Sequence, residues 1–211
     1  MDAYRPATRS TRSVARHWSD RAAGGLLVMG LTLAVLWIVE IANAMLGNRL
    51  DVYGIHPHQV GWLEGILFAP FLHAGFEHLI ANSLPLAVLG FLTYLAVAGA
   101  RFLAVVSLTA LTSGLGAFFL TPPGTVVVGA SGVIFGLLGF LLVRGIFVRS
   151  LGSVAVSIGV LLLYGGVLTG MLPGQTFISW QGHLFGFLGG VLAAWLMRRR
   201  RGPGRAAAVV R

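Results

Sequence analysis

Ser131 and His183 are residue types that together perform nucleophilic catalysis: an imidazole takes the hydroxyl proton and later returns it to a leaving amine. What singles out this pair is placement. Each stands at the N-terminal end of a long apolar run, where polar groups are costly and need a reason. His78 and Asn82 open another such run, four residues apart and hence on one helical face. They and the Ser131 backbone N–H are candidate donors to a developing oxyanion. Asp2 and Asp20 lie in the N-terminal stretch, and Glu40, Asp51, Glu64 and Glu77 in or near the loop that follows the first apolar run. A dyad is therefore expected, not a triad. The bland alternative is real for each residue, because serines in membrane helices mostly bond to backbone or to a neighbouring helix. A metal site assembled from His73, His78 and His183 is disfavoured, since no H-E-x-x-H occurs and His73 and His78 are offset around a helix. No metal or other cofactor is expected.

The elements that must carry these residues follow from composition. Of 211 residues, 56% are hydrophobic and only 10% charged, with 30 Gly and no Cys. An ordinary soluble domain carries about 25% charged residues. This balance excludes a soluble globule, a disordered tail and a disulfide-stapled domain, and the missing cysteines exclude thiol catalysis and Fe–S clusters. The reading is an all-α polytopic membrane protein. A span needs roughly 20 apolar residues, and six are expected: Leu26–Leu46, His78–Ala98, Phe102–Leu120, Ser131–Val148, Val154–Leu172 and Gln181–Met197. They define a membrane domain over residues 23–197, flanked by basic tails at 1–22 and 198–211 whose simplest role is attraction to anionic lipid.

All 15 basic residues are Arg, and the formal net charge is +9. They form no stripe interleaved with exposed aromatics, so no nucleic-acid partner is expected. With the N-terminus inside, every arginine except Arg49 falls on the inner side, which places both termini in the cytoplasm. Ala42-Asn43-Ala44 looks like a signal-peptide cleavage site, but the apolar run before it is long and Glu40 interrupts its end, so an uncleaved first span is expected. The loop from Gly47 to Glu77 carries Trp62, Leu63, Ile66, Leu67, Phe68, Phe71 and Leu72, as a segment in the outer interface would, and Pro70 argues against one continuous helix there.

Span parity then does the positioning. Even-numbered spans all run from outside to inside, so Asn82, Ser131 and His183 share the outer leaflet within a few turns of one depth. Gly132 and Gly136 follow Ser131 in small-xxx-small spacing with Gly139 nearby, and Gly182, Gly186 and Gly190 do the same around His183. Such faces let helix backbones approach closely in lipid, so the fourth and sixth spans are expected to be neighbours.

Gly129-Ala130-Ser131-Gly132, Gly182-His183-Leu184-Phe185-Gly186 and the run from His73 through His78 to Asn82 resemble, in order and in placement, the three motifs of the rhomboid intramembrane serine proteases. The resemblance covers about Ala23 to Met197. It implies a six-span rhomboid-like bundle of bacterial type that hydrolyses peptide bonds of transmembrane substrates near the outer face. By position, Ser131 would be the nucleophile and His183 the base; His78, Asn82 and the Ser131 amide would bind the oxyanion. Phe135 matches the aromatic that packs on the catalytic histidine, and His73 a structural histidine. The resemblance further implies lateral substrate access at the fifth span and under a cap from Pro173 to Trp180, with Phe177, Ile178 and Trp180 as apolar cover. Single-span membrane proteins and lipid would be the partners; arginine without lysine, with abundant Gly and Ala, points to a GC-rich bacterial genome and hence to the bacterial cytoplasmic membrane as the location. Two departures stand out. Gly61-Trp62-Leu63-Glu64 lacks the family's Trp-Arg pair, and Phe135 replaces the more familiar Tyr. Two other functions compete: a non-proteolytic rhomboid-like protein that binds or escorts membrane proteins, whose known kind lacks the serine or histidine, and a small transporter, against which no inverted repeat is seen.

Overall fold

The computed structural model describes residues 11–174 and 179–198, and helices carry most of the described chain. In order, α1 spans Thr11–Met45, α2 is the short Gly65–Phe68, α3 spans Phe76–Val97, α4 Gly99–Leu120, α5 Ser131–Val148, α6 Leu151–Tyr164 and α7 Trp180–Leu196. Short 3-10 turns at Arg49–Tyr53, Val60–Trp62 and Ala69–Phe71 fill the loop after α1, and a seven-residue 3-10 segment, Gly165–Met171, prolongs α6. Among the described residues there is no strand, only an isolated bridge between Ile55 and Val127. Among the described residues five segments are long and apolar enough to cross a membrane: Trp18–Met45, Phe76–Val97, Gly99–Leu120, Ser131–Val148 and Leu151–Met171. The 17 residues of α7 are about 26 Å long at the α-helical rise.

The structure adds three details to these expectations. The first helix begins at Thr11, inside the stretch read as a basic tail. Glu40 lies within α1, toward the end of the first expected span, and is buried. The fifth apolar run is not one α-helix: the Gly165-Gly166 pair, poor at holding the α conformation, marks the change to the tighter 3-10 winding. The expected break near Pro70 is present, with α2 giving way to the Ala69–Phe71 turn.

α5 is the centre of the bundle. Leu137, Leu138, Phe140 and Leu141 are all at most 1% exposed, and α5 packs most closely against α7, which in turn packs on α4. The glycine faces make this possible. A β-carbon at Gly186 would overlap the Gly132 carbonyl, and one at Gly190 the Gly136 carbonyl. α6 packs on α5 but buries only Val160, leaving Leu161, Leu162 and Leu163 exposed. The loop after α1 is held from both ends. The Asn43 side chain donates to Asp51 Oδ1 at 2.9 Å and accepts from the Leu50 amide at 3.0 Å. Ile66 packs with Ala117 and Phe118 of α4 in a second small core, while Leu67, Phe68 and Phe71 stay exposed.

Candidate active site

Ser131 is the first residue of α5, and the segment before it is built to deliver it there. Ile55 and Val127 exchange two backbone hydrogen bonds of 2.9 Å, and the Gly129 N–H donates to the Ala69 carbonyl at 2.9 Å. Gly129 itself has a φ of 123°, and a β-carbon there would stand 2.6 Å from His78 Cε1. Only glycine meets both demands. The first N–H groups of α5 have no acceptor within the helix and sit at its positive end.

His183 lies in the first turn of α7, which Ser179 starts: its hydroxyl accepts from the Gly182 N–H at 3.2 Å, as N-cap side chains do. The cap is anchored to α4, with Ser179 Oγ 3.1 Å from Thr121 Oγ1 and Gln181 Nε2 donating to the Leu120 carbonyl at 3.0 Å. From there the imidazole reaches across to α5, its Nε2 lying 2.8 Å from Ser131 Oγ. On the other edge Nδ1 lies 2.9 Å from the Gly170 carbonyl oxygen. A carbonyl only accepts, so Nδ1 carries the proton and Nε2 presents its lone pair to the serine. The Phe135 ring stacks on the imidazole with centroids 4.2 Å apart and planes 15° from parallel.

His78 and Asn82 of α3 face the same space. They line, with Ser131, Phe135 and His183, a cavity of about 1000 Å³. Among the described residues the buried Asn82 Nδ2 has no hydrogen-bond partner. His73 is fully buried, edge-on to His78 at 5.2 Å, and its Nε2 accepts a long 3.5 Å hydrogen bond from the Ala130 N–H. Burial first, then the neighbouring His78, pushes the His73 imidazole down to about 4, so it is neutral near pH 7. Among the described residues no three His, Asp or Glu converge on a metal position.

The five residues singled out from the sequence, Ser131, His183, His78, Asn82 and Phe135, thus meet around one cavity. Phe177 and Ile178 of the expected cap lie outside the described residues. Sequence reasoning missed the Gly170 carbonyl, which has no side chain to announce it, and the Ser179–Thr121 anchor. A serine three residues before Gly182 was an available helix-start signal. The arrangement holds a hydroxyl against an oriented imidazole base, beside backbone and side-chain donors that can receive negative charge.

Comparisons with known proteins show what the chain is similar to. A family model described as the Rhomboid domain matches residues 59–200. An uncharacterized protein of Mycobacterium tuberculosis is 43% identical over 202 residues, covering 92% of this chain and 82% of the relative. An uncharacterized protein of Mycobacterium leprae is 40% identical over 203 residues, 92% of this chain and 77% of the relative. Rhomboid protease GluP of Bacillus subtilis is 31% identical over 177 residues, 80% of this chain but 33% of its own length.

Proposed function

The chain belongs to the rhomboid family of multi-pass membrane proteins, whose members are generally intramembrane serine proteases, and from that premise we propose that it is an endopeptidase working through Ser131 and His183. The observation that carries this reading is the 2.8 Å contact between Ser131 Oγ and a His183 ring whose other nitrogen is already committed. Nε2 takes the Ser131 proton as Oγ attacks the scissile carbonyl. The oxygen that becomes negative is received by the Ser131 N–H and by His78 and Asn82, the last with its free Nδ2 donor. His183 then passes the proton to the departing amine, and water resolves the acyl-enzyme by the same steps in reverse. Phe135 holds the imidazole face throughout.

The substrates are single-span membrane proteins that reach the cavity from the bilayer. The membrane domain is residues 23–197, with α7 as a sixth span and both termini cytoplasmic; this is the disposition that gathers all arginines but Arg49 on the inner side. The site then opens to the outer face of a bacterial cytoplasmic membrane. The test is cleavage of a helix-destabilised single-span substrate in liposomes, with phosphonate labelling of Ser131. Wild type should cleave and label; Ser131→Ala should do neither, and His183→Ala should lose cleavage while remaining folded. Equal labelling of wild type and Ser131→Ala would refute the nucleophile, and a folded wild type that neither cleaves nor labels would point to a non-proteolytic binder.

A further inference from the structure

Both ring nitrogens of His183 are occupied, and neither by a carboxylate. We infer that the backbone carbonyl of Gly170 is the positioning group of the dyad, a neutral counterpart of the carboxylate that completes a triad. It rests on the reading of Ser131 and His183 given above.

The carbonyl has the right chemistry. Accepting from Nδ1–H fixes the one neutral tautomer whose Nε2 can take a proton from serine. Rotating the ring by half a turn would forfeit both hydrogen bonds at once, so the carbonyl and Ser131 Oγ together define a single orientation, and Phe135 closes one face. The carbonyl is also available for the task. It lies at the C-terminal end of the Gly165–Met171 segment, where the last carbonyls of a helical stretch lack N–H partners of their own. His183 supplies the missing donor, and the segment supplies the missing acceptor.

Position 170 suits this close approach because it has no side chain. A β-carbon there would stand 3.0 Å from Phe135 Cζ and 3.4 Å from His183 Nδ1, forcing the backbone or the ring stack to shift. The segment that carries the carbonyl has no buried residue of its own, and α6 before it buries only Val160. The acceptor therefore sits on the least embedded part of the site, and any outward movement of Gly165–Met171 takes it away from the base.

The experiment weakens the acceptor without touching a side chain. Replacing Met171 by its α-hydroxy analogue turns the Gly170 carbonyl into an ester carbonyl, a poorer acceptor; the same exchange at Leu168 is the control for losing one amide. In liposomes, with a single-span substrate, the Met171 exchange should lower kcat about 5–10-fold with KM and thermal midpoint unchanged, and the Leu168 exchange should not. Nitrogen NMR of His183, assigned against His183→Asn, should show a protonated Nδ1 and a bare Nε2 in wild type and a tautomer mixture in the Met171 ester. Gly170→Ala should give the same direction of change. An unchanged kcat in the Met171 ester, or a wild-type His183 protonated at Nε2, would overturn the assignment. A wild type that neither cleaves nor labels at Ser131 would instead remove the protease reading, and the nitrogen spectrum would still decide whether Gly170 sets the tautomer.

Discussion

Around Ser131 the polar residues do two different jobs, and burial separates them. Among the described residues the buried Asn82 amide donor is unpaired, which costs stability, and the proposed oxyanion role would supply its acceptor. His73 is fully buried and accepts from the Ala130 amide, next to Ser131, which fits a structural part in holding the chain before α5. Its imidazole is held down at about 4, mainly by burial, against an ordinary value of 6.5. The unfolded chain therefore binds more protons than the folded one between those values. The contribution of His73 is complete above about pH 6.5 and is lost progressively as pH falls toward 4, by roughly 3 kcal/mol in all. Thermal unfolding in detergent should show this loss on acidification, and His73→Gln, which cannot charge, should make the drop visibly shallower. Equal acid-side slopes in the two proteins would mean that His73 is not neutral in the folded state.

Between elements, distance is set by backbone, not by side chains. α5 and α7 meet through glycines, and the carbonyls of Gly132 and Gly136 occupy the places where β-carbons of Gly186 and Gly190 would go. Gly190→Val should push the helices apart, lower the thermal midpoint sharply and cut cleavage at least 10-fold, since a nucleophile and base that move apart by about 1 Å lose roughly 100-fold. Gly159→Ala on α6, where a β-carbon meets open space, should leave activity intact and raise stability by about 0.5–1 kcal/mol. Comparable losses from both would deny the glycine face its role. This face was readable in the sequence because small-xxx-small spacing has one physical use in lipid, and it correctly paired the spans of Ser131 and His183. The N-terminal ends of α5 and α7 were also legible to within a residue, as polar groups mark them. The start of α1 was not, because arginines next to a span are as compatible with helix as with coil. The change of winding at Gly165 was equally hidden, since lipid-facing apolar residues carry no periodicity to lose. With it went Gly170, whose part is played by a backbone atom.

The whole bundle has two chemically distinct ends. At one, Ser131, His183, His78 and Asn82 line a cavity. At the other, Arg21 of α1 donates to the Leu95 carbonyl at 3.2 Å and Arg144 of α5 to the Ala96 carbonyl at 3.1 Å, so two guanidinium groups meet the C-terminal end of α3 where the helix dipole is negative. The proposed topology puts the guanidinium end at the cytoplasm and the cavity at the outer face, as the arginine count favours. The absence of cysteine makes that polarity directly measurable, because any thiol introduced is the sole one in the chain. Thr125, exposed in the loop between α4 and α5, lies toward the cavity end, and Leu151, 88% exposed at the start of α6, lies toward the arginine end. In intact cells, Thr125→Cys should react with a membrane-impermeant maleimide, while Leu151→Cys should react only after permeabilisation. The reverse pattern would put the cavity on the cytoplasmic side and with it the cleavage of substrates. Reaction of both thiols in intact cells would break the assignment of α5 as a full span. Since Ser131 opens α5 at the Thr125 end, the same two thiols report the side of the membrane from which water reaches the nucleophile.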